Sequence, residues 1–240
     1  MKIPGFSLLF SALLLLPAQA DLTIVQKVEG AGPVADMTIK IKGDKARIDA
    51  SPQVTTIVDG KTGDMVSLMN DQKKAVRISA EKMKAAAEMV SKFDEKQIAA
   101  PGAQPPRLTA TGKKENVNGY ETEQYIYETP AFKAAYWIAT KYPDAANILK
   151  QLQSLNSGFW QTSTKMADYR DFPGLPLKTE VTVGNGQKVT STITAVKQDP
   201  LNDADFSVPK DFQEIKPPDI SGALGGKASK PSGEASPKKP

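Results

Sequence analysis

The chain has 240 residues, with 31 basic and 27 acidic side chains and neither cysteine nor histidine. These absences exclude Ser-His-Asp and Cys-His catalytic sites, the usual His/Cys zinc sites and disulfide bonds. Of the four net positive charges, Lys2 carries one and residues 217–240 carry two, so residues 21–216 are close to neutral. A near-neutral folded part argues against nucleic-acid binding, which needs clustered Lys and Arg.

The first twenty residues have the pattern of a secretory signal peptide. Lys2 is the positive n-region, residues 6–16 form an uncharged run of 11 residues, and residues 18–20 (Ala-Gln-Ala) form a cleavage site. This run is too short to span a membrane, which takes about 18 or more apolar residues. We therefore expect cleavage before Asp21, a periplasmic or secreted location, and no membrane-spanning segment in the mature chain.

Alternating apolar and polar residues predict six strands in the first part of the mature chain. Met37, Ile39 and Ile41 alternate with charged and polar neighbours, and turns rich in Gly, Asn and Asp separate the runs. Such a pattern is typical of an antiparallel meander with one polar and one apolar face. The predicted strands are 22–28, 36–42, 45–50, 54–59, 65–70 and 75–79.

The rest of the chain combines helices and further strands. A thin stripe of Ala and Met predicts a helix over residues 80–95 with Ser79 as its N-cap. Asn185-Gly186 between two alternating runs predicts a hairpin. The other predicted elements are strands 108–113, 120–128, 134–139, 175–183 and 188–197 and a helix over 143–155. Residues 217–240 are rich in Pro, Gly, Ser and Lys and are predicted to be disordered. The predicted organisation is thus a signal peptide (1–20), a single domain (21–216) and a tail (217–240).

Four segments of the second half carry a resemblance to a known family. They are residues 119–123 (GYETE), 174–181 (GLPLKTEV), 191–196 (STITAV) and 206–212 (FSVPKDF). Behind a signal peptide and a meander, their order resembles the bacterial exported DUF-4412 family, a domain of unknown function, over most of residues 21–216. That resemblance implies no catalytic residues.

The closing segment, residues 205–209 (DFSVP), is also similar to the end of LolA-like envelope proteins. This resemblance implies an α+β, mainly β fold. Its curved antiparallel sheet is a half-barrel, packed on two amphipathic helices and open to apolar ligands such as acyl chains.

Nine of the chain's 16 aromatic side chains fall between residues 120 and 160. Aromatics at this density usually form core, but a curved sheet over thin helices also leaves space for an aromatic-lined pocket. Methionines in the first predicted helix would supply an adaptable wall. The predicted pocket residues are Met83, Met89, Tyr125, Tyr127, Tyr136, Trp137, Phe159 and Trp160.

Three functions stay open at this point. The first is a non-enzymatic envelope protein that holds a lipid or acyl chain in the half-barrel, with no cofactor and no metal. The second is a module that engages another envelope protein through a sheet edge or the basic tail. The third, and the weakest, is a carboxylate-dependent hydrolase.

Two groups of acidic residues bear on the weaker alternatives. Acid–base catalysis on a glycosidic bond needs two carboxylates facing one cleft, and the pairs Glu121/Glu123 and Asp168/Asp171 offer such carboxylates. Residues 199–205 contain four oxygen-bearing side chains that would suit calcium, but they lack the Gly and the distal Glu of an EF-hand loop.

Overall fold

The structure is a computed structural model that describes residues 20–30, 32, 35–85, 88, 106–129, 132–155, 167–183 and 186–217. Within these ranges no helix is long and apolar enough to cross a membrane. Nearly all of the predicted signal peptide and of the predicted tail lies outside the described residues, so both stay predictions.

One curved, open sheet of twelve strands forms the fold, which confirms the predicted class. Its order is β12-β6-β5-β4-β3-β2-β1-β11-β10-β9-β8-β7, and every neighbouring pair is antiparallel except β12 with β6. The first-half strands are β1 (Leu22–Glu29), β2 (Ala35–Lys42), β3 (Lys45–Ser51), β4 (Val54–Asp59), β5 (Met65–Met69) and β6 (Lys74–Ile78). The second-half strands are β7 (Thr109–Val117), β8 (Tyr120–Glu128), β9 (Phe132–Ala139), β10 (Leu175–Val183), β11 (Lys188–Lys197) and β12 (Gln213–Ile215).

The two halves of the chain meet where β1 pairs with β11. Apart from β12, the strands of each half are sequential antiparallel neighbours, which short turns can join. The exception is the connection from β9 to β10, which takes up residues 140–174 and includes the second helix. The β7 strand is longer than predicted, because it continues beyond a register irregularity that includes Gly112, whose φ is +74°. Such a bulge lets a strand bend without ending its pairing.

Two α-helices accompany the sheet in the described part of the chain. In α1, of which residues 80–85 are described in a continuous run, the Ser79 hydroxyl accepts a hydrogen bond from the Lys82 amide at 3.4 Å, as expected of an N-cap. The second helix, α2 (Ala145–Leu155), begins two residues later than predicted because Asp144 has a left-handed φ of +55°. Three of its apolar side chains, Ile148, Leu149 and Leu152, are buried.

The register assigns every strand residue to one of two faces. Cross-strand partners lie on the same face. One row of partners therefore crosses six strands and consists of Tyr125, Tyr136, Thr179, Ser191, Val28 and Ala35. Phe172 contacts Tyr136 from this side, and α2 contacts both β10 and the 3-10 turn Tyr169–Asp171 that precedes Phe172. We call this side the helix face.

The other side of β2 to β6 is covered by residues 199–212, which we call the strap. Its Val208 and Phe212 pack on a buried cluster of Ile57, Val66, Leu68 and Ala75. The strap is also held by charged groups. The ammonium of Lys40 lies 2.8 Å from Asp205, and the ammonium of Lys42 lies 2.8 Å from Asp203. This segment was not predicted to cover the sheet, because its contacts are all distant in sequence.

A small polar network lies beside the strap on the same face. Asp49 accepts hydrogen bonds from the Arg47 guanidinium at 2.9 Å and from the Thr55 hydroxyl at 2.7 Å. Burial acts to raise the pKa of Asp49, but these hydrogen bonds outweigh it and lower the pKa.

Candidate functional site

The strongest candidate site is an aromatic cluster on the helix face of β8 and β9. Tyr125 lies directly opposite Tyr136 in the register, and Tyr127 lies on the same face of β8. From the segment after α2, Phe172 meets Tyr136 edge-on, with ring centroids 4.9 Å apart, and Tyr169 lies 5.5 Å from Phe172. Tyr136 is the most buried of the four tyrosines, at 3% exposure, and the other three are half-buried.

The four tyrosine hydroxyls are all harder to ionise than usual. Burial is the main cause of the raised pKa of each, and neighbouring carboxylates add to it at two of them. Glu123 acts on Tyr125, and Asp171 acts on Tyr127. The cluster therefore consists of neutral hydroxyl groups at physiological pH, with acidic groups beside them.

A strip of half-buried side chains leads from this cluster across the sheet. In the row of Tyr136, the side chains of Thr179, Ser191, Val28 and Ala35 are all half-buried. The strip crosses four inter-strand steps from β9 to β2, about 19 Å at the usual strand spacing. By contrast, Leu22, Ile24 and Ile41 on the same face are at most 1% exposed and belong to the core that includes α2.

The strip continues into an apolar surface on β2 to β6. Alternate residues of these strands face the same side, and nearly all of them are apolar. Three are methionines, whose flexible side chains suit an adaptable wall. Seven of the large apolar side chains on this face keep partial exposure, namely Met37, Ile39, Ile48, Val54, Met65, Met69 and Ile78. We call these seven residues the apolar surface.

Trp137 does not share a wall with Tyr136. Neighbouring residues of a strand point to opposite faces, so Trp137 lies on the side away from the helix face. The Lys178 ammonium lies 4.3 Å from the centre of its ring and 3.0 Å from a Glu115 carboxylate oxygen. The ring, which is 9% exposed, is thus covered by a cation–π contact from its own chain.

Of the four remaining predicted pocket residues, only Met83 lies within the described residues. Met83 is buried, at 7% exposure, in the first turns of α1. Met89, Phe159 and Trp160 lie outside the described residues, so their part in a pocket stays a prediction. Tyr169 and Phe172 were missed from the sequence, because their contacts with β9 depend on how the chain returns after α2.

Two of the four acidic residues considered for catalysis, Glu121 and Asp168, have structural partners. Glu121 lies 3.2 Å from the Lys114 ammonium. Asp168 caps the turn after α2 and pairs with Arg170, and these hydrogen bonds, led by the one from the Arg170 side chain, lower its pKa.

The proposed calcium ligands of the strap are engaged in a similar way. Asn202 accepts a hydrogen bond from the Ala204 amide at 3.0 Å, while Asp203 and Asp205 pair with lysines of β2. Over the ranges that the structure describes, no group of three or more acidic residues is arranged to hold a metal ion.

Comparison with protein families assigns this chain to a family. The model of a domain of unknown function, DUF4412, matches residues 22–212, which spans β1 to the end of the strap. The chain belongs to the DUF4412 family. The resemblance found in the sequence is thereby confirmed, and this family carries no established activity that could be transferred to the aromatic cluster.

Solved structures similar to this DUF4412 protein are distant in sequence. PNGF-II, in its P21 crystal form, is 14% identical with a TM-score of 0.40, and the match covers 82% of this chain and 32% of PNGF-II. MucB, solved in complex with MucA(peri), is 14% identical with a TM-score of 0.36, and the match covers 82% of this chain and 57% of MucB. The chain thus spans about a third of PNGF-II and just over half of MucB. No curated protein matches the chain.

Proposed function

We propose that this protein is an exported, non-enzymatic binding protein of the cell envelope that holds a lipid or another apolar ligand against the helix face. The observation that carries the proposal is the apolar surface of β2 to β6, which stays partly exposed beside a fully buried core. Contiguous apolar surface of this kind often marks a binding site in a water-soluble protein. Export is supported by the signal-peptide pattern of residues 1–20.

The shape and chemistry of the helix face favour an elongated ligand. The half-buried strip between the aromatic cluster and the apolar surface is about 19 Å long at the usual strand spacing, comparable to an extended acyl chain. Aromatic rings border one end and methionines border the other. Binding sites for apolar ligands typically combine such walls with a few polar groups that fix orientation, and the tyrosine hydroxyls supply these groups here.

A protein partner added at the sheet edge is less well supported. The edge strand β7 is exposed at every residue before Val117, as strand addition requires. However, the strand carries the bulge at Gly112 followed by Lys113 and Lys114. Bulges and edge lysines are features that hinder strand addition.

Native mass spectrometry of residues 21–240, purified from the periplasm of an expression host, tests the proposal. We expect a bound species at about one per chain, which solvent extraction would identify as a lipid. An apo mass with no uptake of either a fluorescent fatty acid or the uncharged probe 1-N-phenylnaphthylamine would refute ligand binding and direct the search to protein partners.

Two adjacent residues provide a matched pair of variants. Met37 lies on the helix face, whereas Thr38 lies on the opposite face, and both are half-buried. Met37→Gln should reduce lipid occupancy because it places an amide in the apolar surface, and Thr38→Gln should not. Thermal unfolding of both variants shows whether the difference arises from binding or from stability.

A further inference from the structure

The hydroxyl of Tyr136 is buried without a hydrogen-bond partner. Across the described residues it is the one buried side-chain polar atom in this condition, and the residue is 3% exposed. The backbone of Ala167 is close enough to offset part of the rise in the pKa of this hydroxyl, but the two groups do not form a hydrogen bond of normal geometry. Buried hydroxyl groups are nearly always paired with protein or with ordered water, so an unpaired one is a position where a water or a ligand atom can be bound.

The surroundings of this hydroxyl limit the chemistry of that partner. The rings of Phe172, Tyr125, Tyr127 and Tyr169 are the neighbours described above, and rings of this kind favour apolar or uncharged groups. The nearby acidic groups are Glu123 and Asp171, and neither forms an ion pair within the described part of the chain. Glu123 is half-buried and Asp171 is exposed, so a second anion brought here would meet like charge that solvent screens only in part.

We propose that the Tyr136 hydroxyl donates a hydrogen bond to an uncharged carbonyl oxygen of the ligand. This inference rests on the proposed function and makes it more specific, because the ligand class becomes a neutral acyl ester or amide rather than a free fatty acid. A neutral phenol needs an acceptor to satisfy its O–H, and an ester carbonyl meets that need without adding negative charge. The acyl chain then lies along the strip of half-buried side chains that leads toward β2.

Displacement of 1-N-phenylnaphthylamine at pH 8 tests the inference with two ligands of equal chain length, monoolein and oleate. Wild-type protein should bind monoolein more tightly than oleate. Tyr136→Phe should weaken monoolein binding about five- to tenfold, the usual effect of one lost hydrogen bond, and should leave oleate binding almost unchanged. The double variant Glu123→Gln/Asp171→Asn should strengthen oleate binding and so reduce the difference in affinity between monoolein and oleate.

Tyr142→Phe is the matched control. It makes the same chemical change in a half-buried tyrosine that contacts Tyr120, with ring centroids 4.7 Å apart. This variant should bind both ligands like the wild type. Thermal unfolding adds a second readout, because Tyr136→Phe should be at least as stable as the wild type if the hydroxyl has no partner in the free protein.

The outcomes separate this inference from the proposed function. If the probe binds but Tyr136→Phe leaves the monoolein affinity unchanged, or if oleate binds more tightly than monoolein, the inference is overturned and apolar binding stands. A clear loss of stability in Tyr136→Phe also overturns it, because the hydroxyl would then be paired within the protein. If neither probe nor lipid binds the wild type, both proposals fail.

Discussion

Removing the Phe206 side chain should destabilise the protein more than breaking any ion pair of the strap. Phe206 is 5% exposed and lies between two open clefts of about 440 and 370 Å³ on the strap side of the sheet. Truncation of a buried Phe to Ala costs about 3–5 kcal/mol. We expect the lower end, about 3 kcal/mol, because water from the clefts can fill the space that is left. For a domain of this size, each kcal/mol lowers the melting temperature by about 2–4 °C, so Phe206→Ala should lower it by about 6–12 °C.

Thermal unfolding followed by circular dichroism measures this shift. Asp203→Asn is the comparison, because it breaks the ion pair with Lys42 while the Asp203 side chain is 89% exposed. Exposed ion pairs contribute little to stability, so this variant should melt close to the wild type. If Phe206→Ala shifts the melting temperature no more than Asp203→Asn does, apolar packing does not hold the strap and the reasoning is wrong.

Two further predictions concern charge and backbone conformation. Burial acts to raise the pKa of Asp49, but its hydrogen bonds lower the pKa by more. Asp49 therefore stabilises the fold at pH values above its unfolded-state pKa of about 4. This stabilisation is lost as the pH falls through the lower folded-state pKa. In urea unfolding, Asp49→Asn should therefore reduce stability at pH 7 and much less at pH 2; equal losses at both would contradict this sign. Gly30 has φ +91°, and an added Cβ would lie 2.0 Å from the Lys188 carbonyl oxygen, so Gly30→Ala should cost more than about 2 kcal/mol. Gly43→Ala, at φ +56° with open space around it, should reduce the free energy of unfolding by only about 1 kcal/mol. A similar loss at both positions would show that Gly30 does not closely approach the Lys188 carbonyl.

The candidate site was predictable from the sequence only in part. Aromatic density pointed to β8 and β9, and three of the predicted tyrosines do lie together on one face. The alternation rule could also have separated Tyr136 from Trp137, because adjacent residues of a strand cannot face the same side. The contacts of Tyr169 and Phe172 had no such local signal, since they depend on where the chain returns to the sheet.

Local patterns in the sequence determined the strands, the turns between them and the apolar stripe of α2. This succeeded because alternation and turn chemistry act over a few residues and need no knowledge of distant partners. Only the tertiary structure decided that β1 pairs with β11, that the strap covers β2 to β6, and that the three-residue β12 joins the edge of the sheet. Those contacts bring together residues more than a hundred positions apart, and they depend on how the whole sheet buries its two faces. The unpaired hydroxyl of Tyr136 belongs to the same class, because a residue's hydrogen-bond partners are known only once every neighbouring element is in place.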